Sequence, residues 1–261
     1  MNRYIVKHKE TMGINKSPER IGGKASQLFK INPDLLPYWS VITADCPDDK
    51  LEEVCHEIWQ QVGGYSLWPH GKPPWLSLYA VRSSAVGEDG KDQSYAGIFE
   101  SKLNVPITGI EHAVREVRDS ANAARAKVYY QAAMSGETFP PAPSPNVAVI
   151  VMPMVKARYS GVLFSKEPVE GTDRMLVEWE VGAGGVVDGE SNSNMLFLHS
   201  EKFYRSDDTD PLDDAAMHAI WQEAKRLEKN YGRPVDIEWA ITEEGKPFVL
   251  QVRPITAGVT A

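Results

Sequence analysis

Apolar residues in DDKLEEVCHEIWQQV (48–62) fall at Leu51, Val54, Cys55, Ile58, Trp59 and Val62, the spacing of a helix with one buried face. A longer helix is predicted over 109–134, with an apolar stripe and mixed charges opposite it, and another over 213–230. Ser17 followed by Pro18 reads as a helix start, the helix running on through GGKASQLFKI. Short apolar runs predict strands at WSVIT (39–43), SLYAVRSS (77–84), GIFESKLNV (97–105), 147–155, 160–165, 174–180 and 194–206. A hairpin at 235–256 closes the pattern. Four prolines in FPPAPSPN (139–146) cannot continue a helix or enter a central strand, so a linker is expected there, dividing 1–140 from 141–261. Mixed strands and helices with a β-rich second half predict an α+β architecture in two lobes.

The closing hairpin, VDIEWAITEEGKPFVLQVRPIT, carries polar residues where a core strand would carry Val or Leu. With EEGK (243–246) as a four-residue turn, Thr242 lies opposite Pro247, Glu238 faces Gln251 and Asp236 faces Arg253. Side chains alternate along a strand, so these four share one face, while Ile237 and Trp239 point the other way with Leu250 and Val252. Two carboxylates and an amide oxygen suit a hard cation such as Mg²⁺ shared with phosphate, and a guanidinium beside them suits a phosphoryl group. The plainer alternative is an exposed hairpin face with a cross-strand Asp–Arg pair, which contributes little.

Three other stretches carry candidate chemistry. In ERIGGKASQLF (19–29), Gly22 and Gly23 leave backbone N–H groups open to an anion and Lys24 adds charge, or the stretch is an ordinary turn before an amphipathic helix. It is not a GxxxxGK[ST] phosphate loop. In YAVRSSAVGEDGKDQSYAGIFES (79–101), a strand delivers Arg82, Ser83 and Ser84 into a Gly- and Asp-rich loop, fitted either to fold over phosphates or to lie as a charged surface loop. LVEWEVGAGGVVDGE (176–190) lacks the last glycine of a dinucleotide fingerprint, because Val187 stands there; Glu178 and Glu180 share a strand face toward a ribose or toward solvent. The six histidines show no metal-ligand spacing, and no Ser-His-Asp or Cys-His set stands out.

Composition narrows the classes. The 261 residues bury a substantial core, and 28 basic against 36 acidic side chains, net −8, give no basic stripe for nucleic acid. Two cysteines without CxxC spacing suggest neither a disulfide framework nor a zinc site, so a reducing, cytoplasmic setting is expected. The N-terminal MNRYIVKHKE lacks the apolar core of a signal peptide, and VAVIVMPMV (147–155) is too short to span a bilayer; no membrane partner is expected.

In this order the motifs resemble the N-terminal ATP-binding domain of the pyruvate phosphate dikinase, phosphoenolpyruvate synthase and rifampin phosphotransferase family. The family's G-G-K-[GA] is matched by Gly22 to Ala25, its V-R-S-S-A by Val81 to Ala85, and its S-[FY]-A-G loop by Ser94 to Gly97. SGVLFSKEP (160–168), DIEWA and LQVRPIT match its later strands and hairpin. The resemblance covers about residues 21–256. It implies an ATP-grasp-type fold with ATP in a cleft between two lobes, and phosphoryl transfer from ATP with Mg²⁺. By carry-over, Lys24 and Arg82 would hold phosphates and Arg253 would stabilise the transferring group. Glu238 and Gln251, supported by Asp236, would place Mg²⁺; Gly22, Gly23, Ser83, Ser84, Gly97, Glu178 and Glu180 would line the nucleotide.

Departures from the family pattern are Met152-Pro153, where relatives often carry Gln before the strand end, and Gly185, where they carry an acid. The sequence also ends soon after RPIT, without a carrier-histidine domain. The resulting expectation is the nucleotide half of a split system that phosphorylates a histidine on a separate carrier protein. A direct small-molecule kinase and a catalytically idle nucleotide-binding module are the two alternatives.

Overall fold

The structure, a computed structural model, describes residues 2–8, 17–64, 78–85, 101–135, 147–167, 172, 174–182, 194–199, 202–205, 212 and 214–255. Two compact units emerge, Met1–Ser26 with Tyr38–Met154, and Gln27–Pro37 with Val155–Ala261. The proline-rich stretch 139–146 lies outside the described residues.

In the first unit, strands β1 (Ile5–Lys7), β2 (Ser40–Ile42), β3 (Leu78–Ser84), β4 (Ser101–Pro106) and β5 (Ala148–Pro153) form an antiparallel sheet in the order β1-β2-β5-β3-β4. Three-residue β1 is too short for a periodic signal and was not expected. Helices α2 (Leu51–Gly64) and α3 (Ile110–Ser135) cover one face. Leu51, Val54, Cys55 and Ile58 of α2 and Ile110, Ala113, Val114 and Val117 of α3 form one core with Ile42, Tyr79, Val81, Val149 and Val151 of the sheet. Trp59, expected on that stripe, is 46% exposed, its ring edge against His56 at 5.1 Å between centroids. Ile58 beside it is buried, a difference that the adjacent apolar pair does not reveal.

Arg118 of α3 is buried, and its guanidinium donates to the carbonyls of Thr43 (3.2 Å) and Cys46 (2.9 Å) and to the Asp48 carboxylate (2.8 Å). One planar fork thus ties the turn leaving β2 to α3. Helix α1 (Pro18–Leu28) is not the single uninterrupted helix expected: Gly22, at φ 74 and ψ 177, breaks it in the middle.

The second unit is built on an antiparallel sheet of β6 (Ala157–Phe164), β7 (Met175–Val181), β8 (Asn194–His199), β9 (Lys202–Arg205), β10 (Val235–Thr242) and β11 (Pro247–Pro254), in the order β11-β10-β6-β7-β8-β9. The stretch 194–206, expected as one strand, is two strands that pair with each other, His199 opposite Lys202. Its apolar runs MLFL and FY flank a Ser-Glu pair, and pairing satisfies both backbones.

Helix α4 (Asp214–Tyr231) packs on β10 and β11 and buries Met217, Ile220, Ala224 and Leu227 at helical spacing. Buried Glu223 accepts from the Asn32 N–H at 2.8 Å and from the Arg226 guanidinium, whose Nη2 also donates to the Lys30 carbonyl at 2.5 Å. Tyr231 donates to the Gln27 amide oxygen as well. These bonds assign residues 27–37 to the second unit. Among the described residues, no helix is long and apolar enough to cross a membrane.

Candidate functional site

The hairpin register brings together the expected pairs: Asp236 opposite Arg253 and Glu238 opposite Gln251. The turn end differs by one residue, since Ile241 rather than Thr242 faces Pro247, and a register shift between Glu238 and Trp239 restores the pairing further on. Thr242 is drawn into the turn, where its carbonyl accepts from the Gly245 N–H at 3.0 Å and its N–H donates to the Lys246 carbonyl at 3.0 Å. One consequence is that Val249, not Leu250, stands opposite Trp239, and Leu250 is the extra residue of the bulge.

Cross-strand partners in an antiparallel sheet share a face, so the register extends the cluster beyond the hairpin. Gln251, Glu238, Val162 and Glu178 form one row across β11, β10, β6 and β7. Ala240, Ser160 and Glu180 form the row on one side, and Arg253, Asp236, Phe164 and Leu176 the row on the other. Glu178 and Glu180 therefore lie on the same face as the hairpin's polar residues, with Glu178 about 10 Å from Glu238 by the usual strand spacing. Gly161 permits part of this: a Cβ there would meet the Glu178 carbonyl oxygen at 2.0 Å, so β6 and β7 approach closely only with glycine.

Burial counts against the plain exposed-face reading at the centre of the hairpin, where Glu238 and Gln251 are each 5% exposed. Arg253 Nε donates to Asp236 Oδ1 at 3.1 Å, and its Nη2 lies 4.0 Å from Glu238 Oε1. Asp236 thus orients Arg253, leaving Glu238 and Gln251 as the buried oxygen pair. Among the described residues no three His, Cys, Asp or Glu side chains gather into a metal cage. Two oxygen ligands completed by phosphate oxygens and water fit Mg²⁺, which seldom uses an all-protein cage.

In the first unit, the GGK and VRSS segments meet. The Gly23 N–H donates to the Ala85 carbonyl at 2.8 Å, and the Ala25 N–H donates to Ser84 Oγ at 2.9 Å. A Cβ on Gly22 would fall 1.8 Å from the Ser84 carbonyl oxygen. The expectation that Gly23 offers an open N–H to an anion is corrected here: that donor is engaged by the protein itself. Ser83 also departs from its expected place. Strand alternation puts it on the face of Tyr79 and Val81, against the core, where its buried hydroxyl has no hydrogen-bond partner among the described residues. Arg82 and Ser84 share the other face of β3, beside the start of α1. Lys24 is partly exposed. Gly97 and the acid-lacking position Gly185 lie outside the described residues.

The two clusters offer, in one unit, cations carried on a fixed backbone and, in the other, a buried oxygen pair beside an oriented guanidinium. The family described as pyruvate phosphate dikinase, AMP/ATP-binding domain, matches residues 40–205 and 197–260. The chain belongs to that family. The dikinase-domain match takes in β3 and the closing hairpin, while Gly22, Gly23 and Lys24 precede it. A probable phosphoenolpyruvate synthase of Methanothermobacter thermautotrophicus is 31% identical over 208 residues, covering 68% of this chain and 29% of that protein. A rifampicin phosphotransferase of Streptomyces sp is 31% identical over 223 residues, covering 73% of this chain and 24% of its own length. The chain thus spans less than a third of either relative. Among solved structures, an N5-carboxyaminoimidazole ribonucleotide synthetase in its ADP complex is 13% identical with a TM-score of 0.45, over 91% of this chain and 46% of that one.

Sequence reading did not single out Arg118, Glu223 or the 27–37 segment. Arg118 fell within the mixed charges of the 109–134 helix and Glu223 within the 213–230 helix without comment, and only the packing shows them buried.

Proposed function

We propose that this dikinase-family chain binds ATP with Mg²⁺ and activates a phosphoryl group for transfer to a histidine on a carrier. The observation that carries the reading is the buried Glu238–Gln251 pair beside an Arg253 held by Asp236. Two relatives named as a phosphoenolpyruvate synthase and a rifampicin phosphotransferase support phosphoryl transfer as the chemistry. In this reading Glu238 and Gln251 hold Mg²⁺, which when bound neutralises phosphate charge. Asp236 fixes the Arg253 guanidinium, and that cation stabilises the charge that spreads over the phosphoryl oxygens during transfer. Lys24 and Arg82 hold phosphate oxygens by charge-assisted hydrogen bonds. Gly22, Gly23 and Ser84 build the backbone that carries those two cations, and Glu178 and Glu180 extend the polar face toward the nucleoside.

Incubation with β- and γ-labelled ATP and Mg²⁺, with and without candidate histidine carriers, tests this. Acid-labile label on a carrier protein is the expected result. Label in a small molecule formed without any protein acceptor would overturn the carrier assignment in favour of a direct kinase. Nucleotide binding with no transfer to any acceptor would leave a binding module.

A further inference from the structure

We propose that Ser84 is a positioning residue for Lys24: it caps, from strand β3, the helical turn that carries Lys24, and does not itself contact nucleotide. The inference rests on the phosphate-binding reading of Lys24 and Arg82. The turn restarts at Gly23 because Gly22 leaves the helical region at φ 74 and ψ 177, which puts Gly22 in the capping position. A capping residue normally accepts, through its own side-chain oxygen, from the N–H two or three residues on. Glycine has no such oxygen. Ser84 Oγ supplies it from another element, accepting from the Ala25 N–H at 2.9 Å, three residues past Gly22.

The Ala85 carbonyl takes the Gly23 N–H at 2.8 Å, so the residues on both sides of Lys24 are tied to the end of β3. Glycine at 22 is what lets the two segments close, since a Cβ would stand 1.8 Å from the Ser84 carbonyl oxygen and 2.6 Å from its Oγ. Ser84 is 1% exposed and its hydroxyl oxygen is already an acceptor, a placement suited to holding backbone rather than touching ligand. Arg82 leaves the same face of β3 two residues earlier, about 7 Å along the strand. A single hydroxyl therefore fixes Lys24 relative to the strand that carries Arg82.

Calorimetric titration of the full chain with ATP and with adenosine tests this in wild type, Ser84→Ala, Lys24→Ala and the double variant. Loss of a cap, about 1 kcal/mol, corresponds to about fivefold in affinity. Ser84→Ala should weaken ATP about fivefold, leave adenosine unchanged, and add nothing in the Lys24→Ala background. An undiminished effect in that background, or an equal loss for adenosine, overturns the proposal. Ser84→Cys, which keeps the size with a weaker acceptor, goes through the same cycle where Ser84→Ala does not fold, with the same pattern expected. Amide hydrogen exchange at Ala25 in ligand-free protein reads the cap by itself: about fivefold faster exchange is expected in Ser84→Ala, and unchanged exchange overturns the cap. Wild-type ATP binding that Ser84→Ala leaves intact overturns the positioning role alone. Absence of ATP binding by the wild-type chain overturns the phosphate reading and the positioning role together.

Discussion

Replacing Gly22 by alanine should cost the first unit about 3–4 kcal/mol, and the structure shows where each part arises. The backbone at φ 74 and ψ 177 lies in a region that is essentially glycine's alone, and a side chain there costs about 1–3 kcal/mol. The added Cβ would stand 1.8 Å from the Ser84 carbonyl oxygen and 2.3 Å from its carbon, atoms of a strand backbone that cannot swing aside. Relief requires α1 to part from the end of β3. That breaks the Gly23–Ala85 and Ala25–Ser84 hydrogen bonds, at about 1 kcal/mol each. Against this, alanine lowers the entropy of the unfolded chain, a gain of about 0.4–1 kcal/mol. Urea unfolding followed by a probe in the first unit measures the sum. With a slope of about 2 kcal/mol/M, the midpoint should fall by about 1.5–2 M. A loss below about 1 kcal/mol would refute both the backbone assignment and the clasp.

Four further outcomes are expected. Arg118→Met should destabilise by about 1–3 kcal/mol by taking the guanidinium from the Cys46 carbonyl and leaving the Thr43 carbonyl with the Cys46 N–H alone, and Arg118→Lys should not restore the loss, because an ammonium cannot span three acceptors; urea unfolding of both variants checks this. Glu223→Ala should accelerate amide exchange at Asn32, the amide it accepts from, with little change in the β10–β11 hairpin. Gly161→Ala should destabilise the second unit by about 1–3 kcal/mol, because β6 and β7 must separate at Glu178; an unchanged unfolding midpoint would refute the close approach. Burial pushes the Cys55 thiol from an ordinary 9.0 up to about 12, and the Tyr79 phenol from 10.0 up to about 12. Both groups ionise earlier in the unfolded chain, so their contribution is complete below pH 9 and is lost as pH rises from there toward 12. Chemical denaturation across that range reads the decline, and Cys55 should resist alkylation at pH 8 until the protein is unfolded.

The hairpin was the most legible part of the site. Strand alternation alone paired Asp236 with Arg253 and Glu238 with Gln251, although the count passed over a turn slip and a bulge that offset each other. A bulge leaves no mark in a two-residue period, and so Leu250 was assigned a partner that belongs to Val249. The GGK and VRSS segments were found, yet the Gly23 N–H expected to stay open is taken by the Ala85 carbonyl. Nothing in either segment alone announces that Gly23 and Ser84 bond to the other segment's end. Ser83 illustrates a simpler limit, since adjacent residues of a strand cannot both face one ligand. Glu178 and Glu180 joined the hairpin face only through the order β11-β10-β6-β7, and strand order is set by tertiary pairing between distant segments. The α+β class followed from periodicity. The assignment of residues 27–37 to the second unit did not, because it depends on tertiary bonds from Glu223, Arg226 and Tyr231 of α4 to that distant segment.

The central claim is that Glu238 and Gln251 form the metal side of a phosphate site. Calorimetric titration of ATP with and without Mg²⁺, on wild type and on Glu238→Ala, tests it most directly. The wild-type chain should bind ATP at least tenfold more tightly with Mg²⁺, a gain of about 1.4 kcal/mol. Glu238→Ala, with an unchanged circular dichroism spectrum, should bind metal-free ATP as the wild type does and lose that gain. A variant that keeps the full Mg²⁺-dependent gain would contradict the claim.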